Sequence, residues 1–189
     1  MATEVQPPPA FVNKDSGVMR GAVVHEVRRT LKDLTGFMAD AAALAKMPGD
    51  RLAYRVQMWS PVAEGTEGGL VWGVTIIEPG DIGGECFMTK GHFHARREAA
   101  EFYWTYEGKG LLLMMDEQRK CRVEQMSPGS VHYIPGGMAH RTVNVGEVTL
   151  SFGSCWPATA GHDYESIAKA GFSVRIYRDG AGVRVVDVG

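Results

Sequence analysis

The feature that most constrains this chain is its punctuation. From Leu52 onward, short apolar runs rich in β-branched and aromatic residues alternate with Gly and Pro. Breaks fall at Pro79-Gly80, Gly83-Gly84, Pro128-Gly129 and Gly136-Gly137. Runs this short suit strands rather than helices, and Gly or Pro between them marks turns. The expected strands are Ala53–Trp59, Val71–Ile77, Cys86–Lys90, Glu101–Glu107, Gly110–Met115, Val131–Ile134, Arg141–Asn144 and Thr149–Cys155. A final hairpin, Val174–Tyr177 and Val183–Val186, is expected to turn at Asp179-Gly180. Many short strands of this kind imply an all-β sandwich or barrel, and closing a barrel removes unpaired edges.

Helical signals are few. Asp40 is placed to cap a short helix over Ala41–Lys46, which Pro48 stops. Asp163 is placed to cap a second over Tyr164–Ala170, with Gly171 just past its end. Val23–Val27 reads as a further strand, paired outside the main sheet. Residues 1–17 are polar and carry Pro7-Pro8-Pro9, so they read as a flexible N-terminal segment. The rest, 18–189, reads as a single domain, because a 189-residue chain that is 44% hydrophobic supports one packed core.

A net charge of −2 shows no basic field for nucleic acid or anionic membrane. No apolar run approaches the length of a membrane-spanning helix, and the N-terminus lacks the regions of a secretory signal. Cys86, Cys121 and Cys155 are odd in number and widely spaced. They read as reduced thiols of a cytoplasmic protein rather than a disulfide framework.

The chemistry concentrates in two segments. One is Gly91-His92-Phe93-His94 with Glu101; the other is Pro135-Gly136-Gly137-Met138-Ala139-His140. In a strand, residues two apart share a face. His92 and His94 then project together, Glu101 lies beside Tyr103 with Phe102 and Trp104 opposite, and His140 aligns with Thr142 and Asn144. Three imidazoles and one carboxylate suit a divalent first-row metal with positions left open for substrate. A lone strand histidine is more often a hydrogen-bonded structural residue. The His-x-His pair, the carboxylate and the distant histidine together favour metal. His25 and His132 fall outside the pattern and read as structural or surface residues. Arg141 points away from the metal on this reading, toward an ion pair elsewhere, and Lys90 points to solvent.

The spacing Gly129, Pro135, Gly137, His140, Asn144 matches the second motif of the cupin superfamily. The first motif departs from it: Cys86 replaces a leading Gly, and the gap before Glu101 is long, although Gly108 fits again. Those departures point to one branch. Thr89-Lys90-Gly91-His92-Phe93-His94-Ala95, Ala100-Glu101 with Tyr103, and Gly108-Lys109-Gly110 resemble the cupin-type, archaeal-type glucose-6-phosphate isomerases. So do Ala139-His140-Arg141-Thr142-Val143-Asn144, Ala160-Gly161-His162-Asp163-Tyr164 and Gly171-Phe172-Ser173. The resemblance covers about residues 18 to 187.

It implies a cupin fold, a double-stranded β-helix or jelly-roll barrel with a few short peripheral helices. It also implies reversible isomerisation of glucose 6-phosphate and fructose 6-phosphate in glycolysis and gluconeogenesis, by a cytoplasmic homodimer. One divalent metal per subunit is implied, iron(II) in the cell, with manganese, nickel or zinc compatible with the ligands. Glu101 is implied as both ligand and proton shuttle, two roles in tension because a cation weakens a carboxylate base. A direct hydride shift needs no such base and stays open. The resemblance places Tyr54, Thr75, Thr89, Gly91 and the Tyr164 region around a phosphosugar. His162 belongs to the rim or fixes the loop before the helix; Tyr103 binds sugar or fills the barrel. Trp156 stands where the family usually has Tyr, which loses a hydrogen-bond acceptor and adds bulk. Two other classes keep a place: a cupin dioxygenase, which consumes oxygen, and a phosphosugar-binding cupin without turnover.

Overall fold

The computed structural model describes residues 4–180 and 182–189. In chain order the elements are β1 (Phe11–Val12), β2 (Met19–Arg20), β3 (His25–Thr30), a 3₁₀ turn at Leu31–Leu34, α1 (Ala41–Ala45), β4 (Leu52–Trp59), β5 (Leu70–Ile77), β6 (Asp81–Ile82), β7 (Glu85–Cys86), β8 (Glu101–Glu107), β9 (Gly110–Met115), β10 (Cys121–Met126), β11 (Val131–Ile134), β12 (Ala139–Asn144), β13 (Leu150–Pro157), α2 (Glu165–Ala170), β14 (Val174–Asp179) and β15 (Gly182–Asp187). No helix among the described residues is long and apolar enough to cross a membrane.

Two walls make a cupin barrel. One is a six-stranded sheet in the order β11-β8-β13-β5-β4-β3. The other combines β10-β9-β12 with β15-β14-β7-β6. Bridges from Met88 to Val143 and from His92 to His140 run the segment after β7 alongside β12. Phe87, Leu112, Leu113, Ile134 and Phe152 fill the space between the walls, each at most 1% exposed. Removing a large aliphatic side chain from such a core costs about 2–5 kcal/mol.

Alternation sets the inward faces. On β8, Glu101, Tyr103 and Thr105 are buried while Phe102 and Trp104 are half exposed on the outside. On β12 every residue is buried, because the outer face is also covered: Phe172, just after α2, lies against Arg141. Asp40 caps α1 as the sequence implies, whereas α2 starts one residue later than expected, with Tyr164 at its N-cap and Asp163 just before it. The Asp40 side chain accepts from Ala43 N, and Asp163 accepts from Ser166 N.

Four further expectations are corrected. Val23–Val27 shifts to His25–Thr30, and the strand is the edge of the main sheet, paired with β4. The Cys86–Lys90 strand shortens to Glu85–Cys86 plus a single bridge at Met88, because Gly91 turns the chain with φ +73°. β10, absent from the expected set, extends the second wall. Within residues 1–17, Phe11–Val12 pairs with Met19–Arg20, and the Met19 N–H donates to the Gln57 side chain. Met1–Thr3 of that segment lie outside the described residues.

Candidate active site

The site is assembled by strand pairing. His92 and His140 face each other across a bridge with reciprocal backbone hydrogen bonds of 3.2 and 3.0 Å. This sets their rings 4.4 Å apart, centroid to centroid. His94 follows two residues after His92, its ring 5.1 Å from that of His140. Glu101 arrives from the opposite wall at the start of β8. One ligand atom from each of His92, His94 and His140 lies within 4.8 Å of the others. Glu101 Oε2 stands 3.3 Å from His94 Nε2 and 3.2 Å from His140 Nε2.

All three Nε2 atoms are buried and without a hydrogen-bond partner among the described residues. Buried polar atoms are normally satisfied, so three orphans meeting at one point call for a shared partner. The tautomers agree. His94 Nδ1 lies 2.9 Å from the Ala99 carbonyl, which fixes the proton there and leaves the Nε2 lone pair free. Two atoms each roughly 2.1 Å from one ion stand about 3.0–3.4 Å apart at right-angled to tetrahedral geometry, the range seen to Glu101. The donor set therefore fits a divalent metal.

The electrostatics separate the members of the cluster: His92 is held neutral, while Glu101 and His94 favour their charged forms. Burial, then the charges of His140, His162 and His94, hold His92 well below the ordinary imidazole range. Burial raises the Glu101 carboxyl, but its contacts with His140 and His94 prevail and hold it below the usual value. Burial alone would lower His94; the Glu101 side chain and the Ala99 carbonyl raise it instead.

His92, Glu101 and His140 form the floor of a cavity of about 190 Å³ between the walls. That space is large enough to admit a small molecule. Tyr54, Thr75, Thr89 and Gly91 line it together with Tyr103, Trp156, His162 and Tyr164. His94 sits behind the floor, 4% exposed. His162 and Tyr164 stack at 5.6 Å, and each ring lies close to His92. Tyr103 is buried, packed on Phe152 at 4.6 Å and edge-on to His140. Burial pushes the Tyr54 hydroxyl up to about 12 and Tyr103 well above its ordinary value, so both are neutral donors at physiological pH. Trp156 fits because position 73 is glycine: a Cβ there would come within 2.8 Å of its ring.

Two readings from the sequence change. Lys90 is half-buried rather than fully turned to solvent: it contributes to the cavity wall, and its ammonium lies 5.3 Å from the Phe37 ring, because the turn at Gly91 breaks strand alternation. Arg141 makes no ion pair among the described residues; its guanidinium donates to the Lys90 carbonyl. The sequence reading also missed Arg29 and Ser154, which line the cavity. Arg29 shares a strand face with Val27, a signal hidden while that strand was placed outside the main sheet.

Residues 28–187 match the family model described as Glucose-6-phosphate isomerase (GPI). The glucose-6-phosphate isomerase of Pyrococcus horikoshii is 38% identical over 176 residues, 93% of this chain and 92% of that protein. Those of Pyrococcus furiosus and Thermococcus litoralis are also 38% identical, over 93% and 92% of this chain and 92% and 90% of theirs. Among solved structures, oxalate decarboxylase of Bacillus subtilis aligns with 64% of this chain and 29% of its own, at 19% identity and a TM-score of 0.47. With a family match over residues 28–187 and 38% identity to several of its members across most of their length, the chain belongs to the glucose-6-phosphate isomerase family.

Proposed function

We propose that this protein interconverts glucose 6-phosphate and fructose 6-phosphate at a divalent metal held by His92, His94, Glu101 and His140. The observation that carries the proposal is the polarity of one cavity. His92, His140 and Glu101 of the orphaned cluster line it, with His94 behind them; Arg29 and Lys90 also line it, with Tyr54, Thr89 and Gly91. Reacting carbons belong at the first set of groups and a phosphate at the second.

The donors are oriented. Thr89 Oγ1 accepts from Thr142 N at 3.1 Å, so its own proton is free for the cavity. Two cationic side chains add charge where a phosphate dianion would sit. His92, His94, Glu101 and His140 would hold the metal, iron(II) on the family reading, which would supply Lewis acidity toward the sugar's carbonyl and hydroxyl oxygens. Glu101 does the proton work: it takes the proton from C2 and returns it at C1. Its contacts with His94 and His140 use Oε2, which leaves Oε1 for the substrate. That division eases the tension between ligand and base. The same reading includes a cytoplasmic homodimer, supported by the half-exposed Phe102, Trp104, Val131 and Tyr133 on the outer face of β8 and β11.

The test is conversion of fructose 6-phosphate to glucose 6-phosphate after chelation, then after adding iron(II) or manganese. Activity is expected to vanish and return. Absence of turnover with every metal overturns the proposal. Light scattering of the same protein tests the dimer.

A further inference from the structure

We infer that Arg141 is a positioning residue for substrate phosphate: from outside the cavity it clamps the Lys90 carbonyl and thereby aims the Gly91 N–H inward. This rests on the phosphosugar reading above.

Arg141 follows His140 on β12 and is 3% exposed. Its Nε and Nη2 donate to the Lys90 carbonyl at 3.2 and 2.6 Å, and its guanidinium lies 4.5 Å from the Phe172 ring. No carboxylate lies within ion-pair distance among the described residues. That is unusual, because a buried cation ordinarily has an anionic partner. Burial lowers its pKa to about 10, which leaves it charged at neutrality.

The geometry of the peptide converts this clamp into function. The Lys90–Gly91 bond is trans, so its C=O and N–H point in opposite directions. With the oxygen held by Arg141 on one side, the Gly91 N–H is turned to the other, the side of the cavity that Gly91 lines. Gly91 is buried, and its N–H has no acceptor among the described residues. A buried unpaired donor facing a cavity is a place for a ligand acceptor. The residue must be glycine: φ is +73°, and a Cβ would meet Phe172 at 2.7 Å and Arg141 at 3.0 Å. Charge works in the same direction. A guanidinium bonded to the carbonyl polarises the peptide and strengthens the N–H as a donor to an anion.

Two variants and one spectrum test this. Arg141→Met keeps length and packing on Phe172 but removes the clamp. It is expected to raise KM for fructose 6-phosphate and the Ki of inorganic phosphate at least tenfold, with kcat within about threefold and one metal per chain retained. Arg141→Lys, with one ammonium for the same carbonyl, is expected to recover part of the loss. Unchanged phosphate affinity in Arg141→Met overturns the inference. So does a loss of kcat and metal without a selective loss of phosphate, which marks a merely structural residue. In the zinc-loaded wild-type protein, inorganic phosphate is expected to shift the Gly91 amide resonance. An unmoved Gly91 overturns the inference even where the variants fail to fold. Failure of the activity reading would look different: wild-type protein that turns over no phosphosugar, while the phosphate titration still reports on Gly91.

Discussion

The molecule buries two histidine–glutamate clusters, and they are built to opposite ends. At the cavity floor, His92, His94 and His140 gather around Glu101 with every Nε2 lacking a hydrogen bond. Across the barrel, His132 is 5% exposed and has both ring nitrogens engaged: Nδ1 with Glu124 Oε2 at 2.7 Å and Nε2 with Ser130 Oγ at 2.9 Å. Ser130 then bonds Thr105 Oγ1 at 3.0 Å. Residue types alone would rank the two alike. Satisfaction separates them: a closed network holds sheets together, while an open one waits for a ligand. Glu124 on β10 and His132 on β11 belong to different walls, so the second cluster pins the barrel shut.

Removing an imidazole from the open cluster should have the largest effect. His140→Ala is expected to lose metal and at least 10³-fold of turnover, with the circular dichroism spectrum unchanged, because one ligand in four supplies both affinity and geometry. Metal content by elemental analysis and turnover with added iron(II) check it. A variant that retains full activity without metal would dissolve the contrast between the clusters.

Glu101→Gln comes next. It keeps shape and a ligating oxygen but removes the base. Turnover is expected to fall about 10²–10⁴-fold, with affinity for inorganic phosphate within threefold. A near-normal rate would favour a hydride shift between C2 and C1 and make Glu101 a ligand only.

How much of this was legible in sequence depends on which physical rule operated locally. Strand alternation placed Glu101 and Tyr103 inward and Phe102 and Trp104 outward, and side-chain capping placed Asp40, all from near neighbours. The same alternation failed at Lys90, because a single glycine at positive φ ended the strand. β10 was missed because Cys121–Met126 lacks a clean two-residue rhythm: Val123 and Glu124 are adjacent and both half buried. Arg29 and the Arg141 clamp were out of reach for a different reason. Each depends on which strand lies beside which, and that is settled by long-range pairing rather than by spacing. The clustering of His92, His94 and His140 was readable because that residue pattern is rare enough to stand out from spacing alone.

A smaller effect is expected at the rim. Arg97 donates to the His94 carbonyl and to Asp163 Oδ2 at 2.6 Å, and its guanidinium lies 4.5 Å from the Phe93 ring. It ties His94 to the segment carrying His162 and Tyr164. Arg97→Met should raise KM three- to tenfold and lower kcat less than fivefold. Arg97, then Ser166, hold the Asp163 carboxyl well below the usual carboxylate range. A depressed acid stabilises the fold fully above its unfolded value, about 3.9, and loses that contribution only as pH falls through its folded value. The Arg97→Met defect should therefore be constant between pH 6 and 9. A defect that changes across that window would implicate another group.

The closed cluster gives the sharpest check precisely because turnover should not move. His132→Leu removes two side-chain hydrogen bonds and leaves Ser130 and Glu124 to find other partners. Glu124 is about one-third exposed and can turn to water, whereas Ser130 and the inward-facing Thr105 are more confined. The cost should be about 2–3 kcal/mol in denaturant unfolding, the usual range for breaking a buried polar network. Metal stoichiometry and KM should match wild type, since no residue of β11 is among those that line the cavity. If His132→Leu instead loses metal, the two clusters are coupled through β8, and the open site owes its geometry to the closed one.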